Sequence, residues 1–330
     1  MDDLWAPRAF STWYRRGLVE SYSLKINDPS GNWAVWIRYS FLKPSNHENA
    51  CGECWFVFSD RRRSGKGRVS GWKETYDFQH CQVSSDQSEV LIESNLLTPY
   101  MAVGALETAG VGWNLRFQPD ACPNRLLPSV FYSEWMPTTK LTSPVTLGLC
   151  NGTIRCAGEV LDADGALISL GHNWGRKHTP RYVWGQARGV VDSEPFFWEG
   201  FSLPLAADST SRGSVTSCVM TVSGRPYRFN SPVSMANNRA EIRRDSWYFH
   251  CQGRDGLLEG HMDFTPDSVA ALRTIQPDGT VLACLNSMMS SGALSFIPRG
   301  GGKRWSVKLA NDAALEILTP DLDHGVPVLA

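Results

Sequence analysis

The sequence predicts an all-β protein of two consecutive antiparallel β-barrel or sandwich domains with little helix, and three observations carry that expectation. Short segments alternate apolar and polar residues with a period of two, turn-forming Gly, Pro, Asn, Asp and Ser clusters separate them at hairpin spacing, and no amphipathic helical repeat interrupts them. At 330 residues the chain has room for two such units.

Taken in order, the first clear strand follows the turn cluster at 27–32. Trp33, Val35, Ile37, Tyr39 and Phe41 alternate with Ala34, Trp36, Arg38 and Ser40, giving a strand with two usable faces. Cys54 to Phe58 forms another run, and the basic connection after it, with Arg61, Arg62 and Arg63, reads as a solvated loop. Val111, Trp113, Leu115 and Phe117 against Gly112, Asn114 and Arg116 make the cleanest alternation of the first half. Between 119 and 149 the rhythm weakens, interrupted by Pro119, Pro123, Pro128, Pro137 and Pro144. The join between domains is expected there, dividing the chain into 1–142 and 143–330. Strand patterns resume at 152–161, 166–170 and 182–188. They continue at 195–203, 214–222, 246–252, 257–264, 280–286, 293–297, 305–309 and 314–318, with hairpin turns at 276–279 and 299–303.

Composition narrows the function classes. A net charge of -1 gives no electrostatic case for nucleic acid as a partner. No apolar run is long enough to form a transmembrane helix, which leaves only peripheral membrane contact open. The acidic start has no apolar leader core, and nine scattered Cys suit reduced thiols, so a cytoplasmic protein is expected. Thirteen Trp are a heavy aromatic payload that either fills a core or lines an apolar cavity. The local signatures of nucleotide-binding loops, zincins and serine hydrolases are missing. Gly300 to Lys303 reads as a hairpin turn rather than a phosphate cradle, and Cys51-x-x-Cys54, near His80 and Cys81, supplies only half of a zinc spacing. No metal and no cofactor are expected.

One stretch resists a scaffold reading. Residues 168–189, ISLGHNWGRKHTPRYVWGQARG, concentrate His, Trp, Arg, Asn and Gln around Gly171, Gly175 and Pro180. Its second half reads as a strand with Tyr182, Trp184, Gln186 and Arg188 on one face and slim Val183, Gly185 and Ala187 on the other. Asn173 and Gly175 suit a turn that would aim His172, Trp174 and Arg176 from a barrel mouth. In the plainer alternative Asn173 only holds that turn, Trp174 and Trp184 are core, and His172 and His178 are satisfied polar groups. The polar face of 182–188 is costly to bury without partners, which favours a ligand-facing role.

The run Gly171 to Gly175, then Tyr182, Trp184 and Gln186, resembles the Asn-Trp-Gly and Trp-x-Gln signature of a two-domain lipocalin-like superfamily. That superfamily holds carotenoid 1,2-hydratases (hydroxyneurosporene synthases), tocopherol cyclases and AttH-like proteins. Glu20-Ser21-Tyr22 to Pro29, Ala34 to Phe41 and Phe197 to Ser202 are similar too. The resemblance implies two lipocalin-like barrels, with Asn173, Trp174, Gly175, Trp184 and Gln186 as a rim or wall of a ligand cavity between them; Arg176, Tyr182 and Trp198, close to these in the sequence, are further expected substrate contacts. It departs at His172, where the hydratases carry an acidic residue, so no acid carries over to that position.

Reactions of this group hold an apolar polyene or prenyl chain in a dry cavity and protonate a double bond or fold two ends together. A raised-pKa acid and an aromatic face for the resulting cation are what that chemistry needs. His172 and Glu199 are the two candidate catalytic residues. The expected function is binding and transformation, by hydration or cyclisation, of an isoprenoid or polyene-type small molecule. The alternatives are a noncatalytic carrier or sensor of a hydrophobic ligand and, more weakly, a hydrolase.

Overall fold

A computed structural model describes residues 2–9, 17–46, 49–84, 88–118, 123–133, 135–136, 139–205, 213–301 and 303–329, with only the backbone at 2, 3, 66 and 311. Pro119, Cys122, Pro137, His47 and Gly302 lie outside the described residues.

Thirteen strands form the first sheet: β1 (Leu18–Asn27), β2 (Trp33–Lys43), β3 (Cys51–Asp60), β4 (Val69–Asp77), β5 (Cys81–Ser84), β6 (Glu89–Ile92), β7 (Asn95–Leu97), β8 (Met101–Leu106), β9 (Val111–Gln118), β10 (Asn124–Arg125), β11 (Lys140–Cys156), β12 (Glu159–Asp162) and β13 (Ala166–Gly175). Its main path runs β4-β3-β2-β1-β13-β11-β9-β8-β7-β6-β5. The second sheet holds β14 (Tyr182–Val191), β15 (Glu194–Pro204), β16 (Ser214–Val222), β17 (Arg225–Arg228), β18 (Arg239–Ile242), β19 (Ser246–Gln252), β20 (Gly256–Asp263), β21 (Ala270–Ile275), β22 (Val281–Pro298) and β23 (Trp305–Thr319). Every strand pairing within the two sheets is antiparallel. Each sheet curls around its own apolar core, as the sequence pattern predicted for two barrels.

The alternation sets the faces. On β2, Val35, Ile37, Tyr39 and Phe41 enter the first core, while Ala34 and Trp36 join Trp55 and Val57 of β3 on the outside. That outer face is covered by Leu272, Leu282, Cys284, Met288, Met289, Ala314 and Leu318 of the second sheet. Both faces of β2 are therefore buried, which is why it reads as a strand with two usable faces.

Three sequence expectations change. The join placed at 142/143 falls inside β11, a 17-residue strand of the first sheet, and the chain passes to the second sheet only at 176–181. Pro144 does not stop β11 because it sits in a register shift between Thr142 and Val145, a bulge where the missing N–H costs no ladder bond. The Asn-Trp-Gly turn is also a strand: β13 continues through Gly175, with Asn173 paired to Ser21 on one side and Leu141 on the other. Gly175 is explained by close approach, since a Cβ there would lie 2.9 Å from the Thr139 Cα. Among the arginines expected in a solvated loop, Arg62 and Arg63 instead clamp the buried Asp60 and reach Glu159.

Candidate active site

The polar face predicted for β14 turns toward the first sheet. Val183 and Ala187 lie in the core of the second sheet, and a Cβ on Gly185 would meet Met262 and Trp247 there. Tyr182, Trp184, Gln186 and Arg188 consequently form one wall of a seam between the two sheets. Each finds a partner. Gln186 accepts a hydrogen bond of 2.7 Å from the Ser169 hydroxyl of β13, and Arg188 donates to Asn27 and to the Leu167 carbonyl. The Tyr182 hydroxyl donates to Glu316, which also accepts from the Asn286 amide at 3.0 Å.

Glu199 lies on the same wall, because Gln186 and Glu199 are register partners on β14 and β15. Its carboxyl is fully buried. Ser143, from the first sheet, donates to Oε2 at 2.5 Å, and the Trp184 indole N–H donates to Oε1 at 3.0 Å. Burial pushes the carboxyl up to about 7, against a partial downward pull from these two hydrogen bonds. The half-buried Trp184 packs with Leu126, Phe201, Leu141 and Leu203 in an apolar cluster spanning the seam. A neutral acid beside an indole, on an apolar seam, is the arrangement that can hand a proton to a carbon atom.

His172 occupies different ground. It points into the first core, stacked at 4.1 Å on Tyr22 and 4.6 Å on Trp174. Nδ1 lies 2.9 Å from the Leu4 carbonyl and Nε2 lies 2.8 Å from Glu20 Oε1, both groups being buried. Both ring nitrogens therefore face oxygen atoms, those of the Leu4 carbonyl and the Glu20 carboxyl. Glu20 also accepts from the Arg8 backbone N–H and the Tyr22 hydroxyl, whose own O–H reaches the Trp5 carbonyl. The pair therefore pins the segment 4–8 onto the first core.

The structure brings together Glu199, Trp184, Gln186 and Tyr182. His172 and Trp174 face the opposite side of β13 from that wall. Asn173 faces outward and accepts from Ser21 at 2.9 Å, and Arg176 is exposed in the connection between the sheets. Trp198, expected beside the ligand, is buried in the second core on Phe249 and Trp247, so the indole that touches Glu199 belongs to Trp184. At the seam Glu199 meets Ser143 and Trp184, and Gln186 meets Ser169, while an open pocket of about 540 Å³ lies on the second sheet beside Tyr248, His250 and His261.

Sequence reasoning missed Glu20, Ser143 and Lys25. Glu20 had a usable signal, since it is the one charge in the inward row Leu18, Glu20, Tyr22, Leu24, Ile26. Ser143 had none, because its partner lies 56 residues away.

His178 packs against the seam with its ring 6.2 Å from Tyr182 and its backbone N–H on Gln276. Burial, aided by Arg38, pushes it down to about 3, so it folds neutral. Its contribution is present above pH 6.5 and is lost as pH falls toward 3, since the unfolded chain protonates first. Lowering pH from 6.5 to 4.5 should cost about 2 kcal/mol through this group. Urea unfolding of wild type and His178→Phe checks it, with a shallower acid slope expected in the variant.

No protein-family profile and no curated relative matches the chain. Solved structures do match it. A putative AttH from Nitrosomonas europaea shares 12% identity over 92% of each chain, with a TM-score of 0.57. Kievitone hydratase from Nectria haematococca shares 10% identity over 97% of this chain and 93% of its own, at 0.55. CghA, solved with Sch210972, shares 9% identity over 92% of this chain and 88% of its own, at 0.58. The chain is thus built on the two-barrel lipocalin-like fold that its sequence resembles, in step with these proteins over nearly its whole length.

Proposed function

We propose that this protein is an enzyme that protonates an apolar small molecule of isoprenoid or polyene type at the seam between its two sheets, leading to hydration or cyclisation. The observation that carries this reading is Glu199, a buried carboxyl poised near neutral pH and held between a hydroxyl and an indole. The protonated carboxyl gives its proton to one carbon of a double bond, and the cation forms on the other. Water then adds and returns a proton to the carboxylate, or a second double bond closes a ring and a neighbouring C–H does so. No oxidant or reductant is consumed. Trp184 meets the acid through its indole N–H, and a cation formed over its neighbouring ring face would be stabilised by about 2 kcal/mol when desolvated. Two neighbours of the same fold support the reading: one is named a hydratase, and another was solved with Sch210972.

The test is turnover of a panel of polyenes and prenyl compounds in D2O. Product should carry one solvent deuterium on carbon, and Glu199→Gln should bind the same substrate without labelling it. Wild-type rates in Glu199→Gln would remove Glu199 as the acid. A ligand that binds and leaves unlabelled from wild type would make the protein a carrier.

A further inference from the structure

Two cations are walled into the same seam. Arg188 and Lys25 are each only 3% exposed. Of the five guanidinium N–H groups of Arg188, two on Nη2 are used, by Asn27 Oδ1 and the Leu167 carbonyl, both at 2.7 Å. Those on Nε and Nη1 are buried with no acceptor. Lys25 Nζ donates to the Asp312 backbone carbonyl at 2.6 Å. Among the described residues neither cation makes an ion pair, and the Asp312 carboxylate, exposed at the rim, acts on both from a distance. Burial pushes Lys25 down, with Arg188 adding to the shift, and burial pushes Arg188 down to about 10. Orphaned donors on a buried cation are rare and costly in a finished interior, and they are met where a ligand supplies the acceptors.

The register places these cations along the same seam as the acid, with Ser169 and Gln186 between Lys25 and Glu199. Lys25 and Ser169 are partners across β1 and β13, Ser169 bonds Gln186, and Gln186 is the partner of Glu199. Arg188 is one same-face step further along β14, about 7 Å. A planar guanidinium with free N–H groups and a compact ammonium match an oxyanion, whether carboxylate or phosphate. We propose that Arg188 and Lys25 form an anion site that holds the charged head of an otherwise apolar substrate, with its chain running past Glu199 toward Trp184 and Phe201. This rests on the reading of the seam as the substrate site, and narrows the substrate class to amphiphilic acids or phosphate esters. Entry at the Asp312 edge is short, since Lys25 reaches the backbone of an exposed residue there.

Calorimetric titration with farnesol, farnesoic acid and farnesyl phosphate tests it. At least one anionic ligand should bind wild type about tenfold or more tighter than farnesol, and the favoured one identifies the head group. Lys25→Met and Arg188→Met should erase that preference and leave farnesol affinity within about twofold. Should Arg188→Met fail to fold, Lys25→Met and Arg188→Lys carry the comparison. Equal binding of all three by wild type, or a preference that survives in the variants, overturns the anion site while leaving an apolar seam in place. If none of the three binds, the substrate reading itself is in question, and inorganic diphosphate decides the anion site alone. A rise in wild-type melting temperature that both variants lose sustains it, and no rise overturns it.

Discussion

Glu199→Gln is expected to lower turnover by at least about a hundredfold, the usual contribution of a positioned general acid. The amide matches the neutral carboxyl in shape and can keep both the Ser143 and the Trp184 contact, so the loss isolates the proton. In wild type the reactive form is the protonated one, and its fraction falls about tenfold per pH unit above about 7. The same group tilts stability. Its folded pKa lies above the ordinary 4.5, so its contribution is full below that value and is lost as pH rises through about 7. The difference is on the order of 3 kcal/mol. The Gln variant should therefore lack that decline and unfold at higher urea than wild type at pH 8. A variant that is dead but shows the wild-type pH slope would place the raised carboxyl elsewhere.

Glu20→Ala should cost about 3–5 kcal/mol, the penalty for leaving one member of a buried pair without the other. The loss has a local signature. Leu4, Trp5 and Arg8 are all tied to the His172, Tyr22 and Glu20 cluster, so proteolysis within 4–8 should accelerate in the variant. Glu20→Gln should be milder, because a Gln amide can donate to Nε2 of a neutral His172. Equal proteolysis rates in wild type and Glu20→Ala would show that the cluster does not hold this segment.

Much of this was legible from alternation. The faces of β2, β9 and β14 follow directly from which side of each strand carries large apolar residues, and the polar wall of β14, read as ligand-facing because it is costly to bury unpaired, finds partners within the chain in Ser169, Asn27, Glu199 and Glu316. What failed was local chemistry overridden by pairing. Asn173 and Gly175 look like turn residues, but β13 is hydrogen-bonded on both sides through this stretch, and the ladder outweighs the preference. Pro144 looks like a boundary, yet a bulge accommodates it. Glu199 stood out in the sequence as a carboxyl beside Trp198 in an aromatic strand, but its setting was not legible. Ser143 and Trp184 reach it from 56 and 15 residues away, and period-two patterning carries no record of which outer face meets which.

The burial of Glu199 by strands from both sheets makes its acidity a property of how the sheets are docked. If they part, water reaches the carboxyl, and it becomes an ordinary carboxylate, ionised at neutral pH. Ser143 of β11 and Trp184 of β14 meet on this one carboxyl from the two sheets, so a substitution that loosens the seam elsewhere should lower its pKa even though it touches neither partner.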